Sequence, residues 1–276
     1  MQYQDYEFKY DKSRRQICPL SGGKDSTALA IYLKDKVPNL EYVFTDTGAE
    51  LPETYEYLDK LEAFLGKKIV RLNSDKTFDY LLKKNGNYLP SARARWCTAE
   101  MKIKSYERYI GDDLIESYVG IRADEDREGY TSNKDTIKPR YPFQEDGIDL
   151  GGVNKILEES GIGMPKYYEW RSRSGCYFCF FQRRIEWIGL KERHPELFER
   201  AKEYEKAGYA GDDVPFTWIK GMSLEELEGK EEEIKANHAK RMEREKSRAR
   251  GKHLTDVFKS VVDDDGEESS CIVCDL

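Results

Sequence analysis

Between an apolar run, Ile17 to Leu20, and a stretch with helical spacing, Thr27 to Leu33, the chain carries Ser21-Gly22-Gly23-Lys24-Asp25-Ser26. A glycine-rich turn leading from a buried strand into a helix is what a phosphate-binding loop requires. The two glycines let the backbone approach a ligand closely, and the first amides of the helix lack intrahelical acceptors. The Ser21 and Ser26 hydroxyls and the Lys24 ammonium add donors suited to a pyrophosphate group. The loop is not a Walker A motif, which has four residues between its glycines and ends Gly-Lys-Ser/Thr; here the glycines are adjacent and Asp25 follows the lysine.

The alternation of strand and helix continues downstream. Leu40 to Thr45 reads as a second strand ending at Asp46-Thr47-Gly48. Pro52 to Leu65 reads as a helix, with Tyr55, Leu58, Leu61 and Leu65 at helical spacing and a stop at Gly66; Lys68 to Leu72 is a third strand and Phe78 to Lys84 a short helix. This order predicts an α/β fold: a doubly wound, mainly parallel sheet with helices on both faces, and ligands at the carboxyl ends of the strands, where the loop and Asp46 fall. Ser117 to Ile121 reads as a further strand and Gly129 to Pro142 as a mobile loop. Gly147 to Gly163 holds one short helix, and Arg183 to Tyr204 is helical around His194-Pro195. From Ser223 the composition shifts: Glu225 to Arg250 is nearly all charge and Asp263 to Ser270 is acidic. The expected organisation is a nucleotide-binding domain over residues 1–205 and a charged helical extension with an acidic, partly disordered tail over 206–276. With so little apolar surface to bury against the domain, the extension beyond about residue 222 is expected to be dispensable for ATP cleavage.

Ser-Gly-Gly-Lys-Asp-Ser resembles the signature of the PP-loop ATP pyrophosphatases, which cleave ATP between its α and β phosphates. Four later segments resemble, in order, the phosphoadenosine phosphosulfate reductase family: Asp46-Thr47-Gly48 through Pro52-Glu53-Thr54-Tyr55, Arg95-Trp96-Cys97-Thr98 through Lys102, Gly120-Ile121-Arg122 through Arg127, and Cys176-Tyr177-Phe178-Cys179. The resemblance spans about residues 15 to 200 and implies an adenine nucleotide alpha hydrolase-like fold. Reductases of sulfonucleotides carry a degraded loop and a terminal Glu-Cys-Gly, whereas this loop is intact and the chain ends with Cys271-Ile-Val-Cys274. What is implied is therefore conversion of ATP to AMP and pyrophosphate, adenylating an acceptor oxygen for sulfur insertion. In character this is closest to the ATP pyrophosphatases of DNA phosphorothioation. Transfer-RNA thiolation, sulfonucleotide reduction and nucleotide sensing within an assembly are the alternatives.

Roles for individual residues follow from that reading. Ser21, Gly22, Gly23, Lys24 and Ser26 hold the phosphates, and Lys24 and Asp25 are the candidate catalytic residues. An aspartate beside phosphate oxygens is repelled unless a cation lies between them, so Asp25 is a candidate magnesium ligand, or else a helix cap. Asp46, with Thr47 and Gly48, either holds the ribose or assists metal binding, or simply forms a turn. Arg122 and Arg127 either clamp phosphates or pair with the intervening Asp124, Glu125 and Asp126.

Six cysteines in a chain expected to be cytoplasmic are not expected to form disulfides. Cys97, Cys176 and Cys179 match positions where relatives hold a [4Fe-4S] cluster, with one iron left open for sulfide. Zinc on Cys176, Cys179, Cys271 and Cys274 is the alternative, and Cys18 reads as a small core residue. Arg93, Arg95, Trp96, Trp170, Arg171, Arg173, Arg183 and Arg184 either grip a nucleic-acid backbone or balance the charge of cluster and nucleotide. A net charge of −7 argues against indiscriminate nucleic-acid binding, and no apolar run approaches membrane-spanning length. Expected partners are a DNA or RNA acceptor and a sulfur donor such as a cysteine desulfurase, with a dimer allowed and no membrane.

Overall fold

A computed structural model describes residues 8–126, 134–206 and 216–248. Five strands form one sheet: β1 (Arg15–Leu20), β2 (Glu41–Asp46), β3 (Ile69–Asn73), β4 (Ile115–Tyr118) and β5 (Ile137–Arg140), in the order β3-β2-β1-β4-β5. Every pairing is parallel; Ile17 of the central strand lies beside Glu41 on one side and Ser117 on the other. A parallel central strand must be apolar on both faces, and β1 is. Cys18 and Leu20 pack on one side with Leu29, Leu33, Phe44, Leu58, Phe143 and Leu157. Ile17 packs on the other with Val43, Tyr106, Ile110, Ile115 and Ile137.

The helices that supply those layers are α1 (Lys24–Leu33), α2 (Pro52–Leu65), α3 (Phe78–Lys84), α4 (Lys104–Ile110), α5 (Pro142–Glu145) and α6 (Leu150–Glu159). Helix α2 has the bounds read from sequence, with Pro52 at its first position and Gly66 closing it at φ 64°. Two elements depart from the sequence reading. Within the stretch expected to be a mobile loop, Ile137–Arg140 is the edge strand β5, where Pro139 removes no needed ladder bond. After Cys97 a π-helical turn, Thr98–Ile103, runs directly into α4.

The chain divides into two compact units, residues 1–81 with 95–176, and residues 82–94 with 177–271, apart from a few C-terminal residues. The first holds the sheet. The second holds α7 (Arg184–Arg193), α8 (Pro195–Lys206), α9 (Leu224–Gly229) and α10 (Glu231–Arg248). Its core is aromatic: Phe178 stacks on Trp218 at 5.4 Å and meets Tyr204 edge-on at 5.5 Å, with Trp187 fully buried. Leu224 and Leu227 of α9 are also fully buried, and Glu205 accepts the backbone N–H of both Trp218 and Leu224. The stretch just beyond residue 222 thus contributes to a core, which corrects the expectation that it has little apolar surface to bury. No helix among the described residues is long and apolar enough to cross a membrane.

Candidate functional site

In a sheet ordered this way the strand order reverses between β1 and β4, and the crevice at their carboxyl ends is the topological switch point. The Ser21–Gly23 turn leaves β1 there and Gly120 to Arg122 follow β4. Gly120 is required by contact: a Cβ on it would lie 3.1 Å from the Asp25 backbone, where α1 starts. Gly22 has φ +73°, and a Cβ there would strike Thr54 Cγ2 at 2.7 Å. Gly23 is the N-cap of α1 and makes no side-chain cap, so the loop backbone itself forms the helix entrance.

Hydroxyls line that entrance. The Ser21 amide donates to Ser26 Oγ at 3.2 Å, the two serine hydroxyls lie 3.1 Å apart, and the Gly23 amide donates to Ser21 Oγ at 3.3 Å. Ser174 Oγ donates to Ser21 Oγ at 3.2 Å, from a segment far along the chain. That segment opens with a 3-10 turn, Lys166–Glu169, whose Tyr167 hydroxyl donates to the Gly22 carbonyl at 2.7 Å while the Tyr168 hydroxyl accepts the Lys24 amide at 3.2 Å. Tyr167, Tyr168 and Ser174 were not singled out from sequence. Their contacts span about 150 residues and follow no local spacing.

The charges converge on one carboxylate. Asp25 Oδ2 lies 2.8 Å from Lys24 Nζ, and its Oδ1 lies 3.0 Å from an Arg122 guanidinium nitrogen. Arg122 also pairs with Asp124 at 3.0 Å and Glu125 at 2.6 Å. Burial opposes the Arg122 charge, but its hydrogen bonds to Asp124 and Asp25 outweigh it and hold the guanidinium more firmly protonated than usual. Arg122 is thus paired with its acidic neighbours and, through Asp25, stands beside the loop. Asp25 is not a cap; it lies in the first turn of α1, where a negative charge is favourable. Its hard oxygens fit a magnesium ion once Lys24 and Arg122 turn to other anions.

The Asp46 segment is built as a turn. Asp46 Oδ1 accepts the Gly48 amide and the Tyr55 hydroxyl, each at 2.7 Å, and Gly48 has φ +69°. Burial and then the Asp46 hydrogen bond push the Tyr55 phenol up. Thr47 Oγ1 donates to Glu50 Oε1 at 3.0 Å and lies 3.1 Å from Cys176 Sγ. Glu50, missed from sequence, is buried, and its second oxygen has no hydrogen-bond partner. Arg171 is buried as well and donates to the Gly175 and Cys176 carbonyls at 2.9 and 2.8 Å. That makes it a brace for the Cys176 turn rather than a nucleic-acid contact. Arg183 likewise caps α7 by pairing with the fully buried Glu186, and Trp96 stacks on Phe78 at 5.1 Å.

Cys18, Cys97, Cys176 and Cys179 are in no disulfide among the described residues. Cys18 is fully buried, and burial pushes its thiol well up, as fits a core residue. Cys97 precedes the π-helical turn, Cys176 closes the first unit and Cys179 lies in a turn of the second, where its carbonyl accepts the Gln182 amide. Among the described residues no group of three or more His, Cys, Asp or Glu side chains is set to hold a metal. The thiols are soft donors of the right kind for an iron-sulfur cluster, without being gathered as a ligand set among the described residues. Arg127, Cys271 and Cys274 lie outside the described residues.

Residues 15–140, from β1 through β5, match the model of the phosphoadenosine phosphosulfate reductase domain. Two uncharacterised proteins of Methanocaldococcus jannaschii are 26% identical over 221 and 226 residues, each alignment covering 76% of this chain but 52% and 46% of theirs. The chain thus spans about half the length of these two relatives. An uncharacterised 37.8 kDa protein of Escherichia phage 186 is 27% identical over 259 residues, covering 71% of this chain and 76% of its own. Among solved structures, phosphoadenylyl-sulfate reductase from Candida auris in a phosphate complex aligns at TM-score 0.49 and 15% identity, covering 60% of this chain and 82% of that one. The U34-tRNA thiolase NcsA from Methanococcus maripaludis, with its [4Fe-4S] cluster, aligns at 0.41 and 14%, covering 80% and 83%. The strand order, not these two likenesses, carries the fold.

Proposed function

We propose that the protein, whose residues 15–140 match the phosphoadenosine phosphosulfate reductase domain, is an AMP-forming ATP pyrophosphatase that activates an acceptor oxygen for sulfur insertion. The observation that carries this is the intact Ser-Gly-Gly-Lys-Asp-Ser loop at the switch point, with Lys24 and Arg122 both brought to Asp25. In the reaction an acceptor oxygen attacks the α phosphorus, the bond to the bridging oxygen breaks, and pyrophosphate leaves. Charge grows on that leaving group, so donors fixed in advance lower the barrier. The α1 amides, the serine hydroxyls and Lys24 supply them, and Arg122 turns from Asp25 to a phosphate oxygen that its fork matches. A magnesium ion at Asp25 would supply further neutralisation of the phosphates. A sulfur nucleophile then displaces AMP from the adenylated acceptor.

The acceptor proposed is a backbone phosphate oxygen of DNA, with sulfur brought by a donor such as a cysteine desulfurase and Cys97, Cys176 and Cys179 gathered round an iron-sulfur cluster on loading. Products from ATP, measured with DNA, with transfer RNA and with neither, test the reading. AMP and pyrophosphate released faster with DNA are expected; ADP and phosphate reject α,β-cleavage, and stimulation by transfer RNA alone moves the acceptor to RNA. Anaerobically purified protein should contain iron and sulfide, and zinc in a colourless anaerobic preparation rejects the cluster.

A further inference from the structure

One residue outside the loop engages both groups on Lys24 that a phosphate would use. The Lys24 amide is among the first-turn donors that helix geometry leaves without an intrahelical acceptor. Here it donates to the Tyr168 hydroxyl at 3.2 Å, and the Lys24 ammonium lies over the Tyr168 ring, 5.4 Å from its centroid. Tyr168 is half-buried, whereas its neighbour Tyr167 is fully buried and the two rings stack at 4.9 Å.

We propose that Tyr168 is a positioning residue that holds the Lys24 amide in the nucleotide-free protein and yields it to a phosphate oxygen. Its hydroxyl then sets how tightly the loop takes pyrophosphate. The inference rests on the phosphate-binding reading of the loop. A phenol oxygen and a phosphate oxygen cannot both accept one N–H, and the anion is the stronger acceptor because its bond is charge-assisted. Tyr167 has the opposite part. Its hydroxyl donates to the Gly22 carbonyl at 2.7 Å, which holds an electronegative oxygen in place as an anion arrives, and a buried donor of that kind has no reason to leave. The two tyrosines thus divide the work: Tyr167 fixes the loop and Tyr168 guards its donor.

Tyr168→Phe removes the competing acceptor and keeps the ring over Lys24. Titrated calorimetrically with inorganic pyrophosphate, it should bind about two- to tenfold tighter than wild type, the range of one net hydrogen bond, whereas Tyr167→Phe should bind more weakly. In the wild-type protein, pyrophosphate should raise amide hydrogen exchange across residues 166–171 as their tie to the loop is released. A Tyr168→Phe protein with wild-type or weaker affinity overturns the proposal, as does unchanged exchange across 166–171. A wild-type protein that binds neither pyrophosphate nor ATP overturns the loop reading and this proposal together.

Discussion

Lys24 and Arg122 take opposite oxygens of the Asp25 carboxylate, so the two cations best placed for phosphate are held ready by a group that must give them up. Removing either end of the Lys24–Asp25 pair separates function from folding. Lys24→Ala, which loses a preorganised donor, and Asp25→Ala, which loses the carboxylate that orients Lys24 and Arg122, should each lower AMP formation by about two to three orders of magnitude. Stability should fall by only about 1–2 kcal/mol, between the limits for exposed and buried pairs, because Arg122 keeps Asp124 and Glu125. Comparing melting temperatures with product formation checks both halves, and a variant with wild-type turnover rejects the catalytic assignment. The thiols divide just as sharply. Cys18 is fully buried with its thiol pushed up, while Cys97, Cys176 and Cys179 are half-buried. In folded protein stripped of any cluster, iodoacetamide at pH 8 should therefore label those three and reach Cys18 only after denaturation, as read by peptide mass spectrometry.

Which elements could be read from sequence depended on whether their determinants were local. Helix α2 carries its own start and stop in Pro52 and Gly66, so its bounds matched. Strand β5 is four residues long, contains Pro139 and exists because β4 offers it an edge; no periodicity announces such a strand. Helix α4 was hidden because it begins as a π-helical turn. Helix α9 misled through composition: half of LEELEG is acidic, yet Leu224 and Leu227 are fully buried and Ser223 with Glu226 forms a capping box. Leu227→Ala should consequently cost about 2–5 kcal/mol, as buried leucines do, and truncation after residue 222 should prevent the second unit from folding. Among the described residues no buried apolar side chain lies beyond Leu227. A chain ended after Lys240 should keep its denaturation midpoint nearly unchanged, and a large loss there would place further core in α10.

At the scale of the molecule, the site was legible where chemistry sits in a contiguous motif and illegible where the fold supplies it. The loop, Lys24, Asp25 and Arg122 came from local patterns; Tyr168 and Ser174 join them only through contacts between distant segments, and Glu50 meets Cys176 in the same way. Charge is likewise distributed by structure rather than by the net of −7, and the two units carry acids with opposite responses to pH. In the first, a hydrogen bond from Arg15 holds the Glu41 carboxyl below its ordinary range, aided by Tyr109 against the effect of burial. Its contribution is present above the unfolded glutamate pKa and is lost as pH falls through the folded value. In the second, burial raises the Glu205 carboxyl despite the amides of Leu224 and Trp218. Its contribution is complete below the unfolded pKa and is lost as pH rises through the folded one. Hydrogen exchange read separately in β1 and α8 should show this on acidification from neutral pH. Relative to Glu205→Gln, wild-type α8 should gain protection as pH falls towards the ordinary glutamate range. Relative to Glu41→Gln, wild-type β1 should lose protection as pH falls below that range. Parallel slopes in the two segments would mean that the Arg15 pairing or the burial of Glu205 is not maintained in solution.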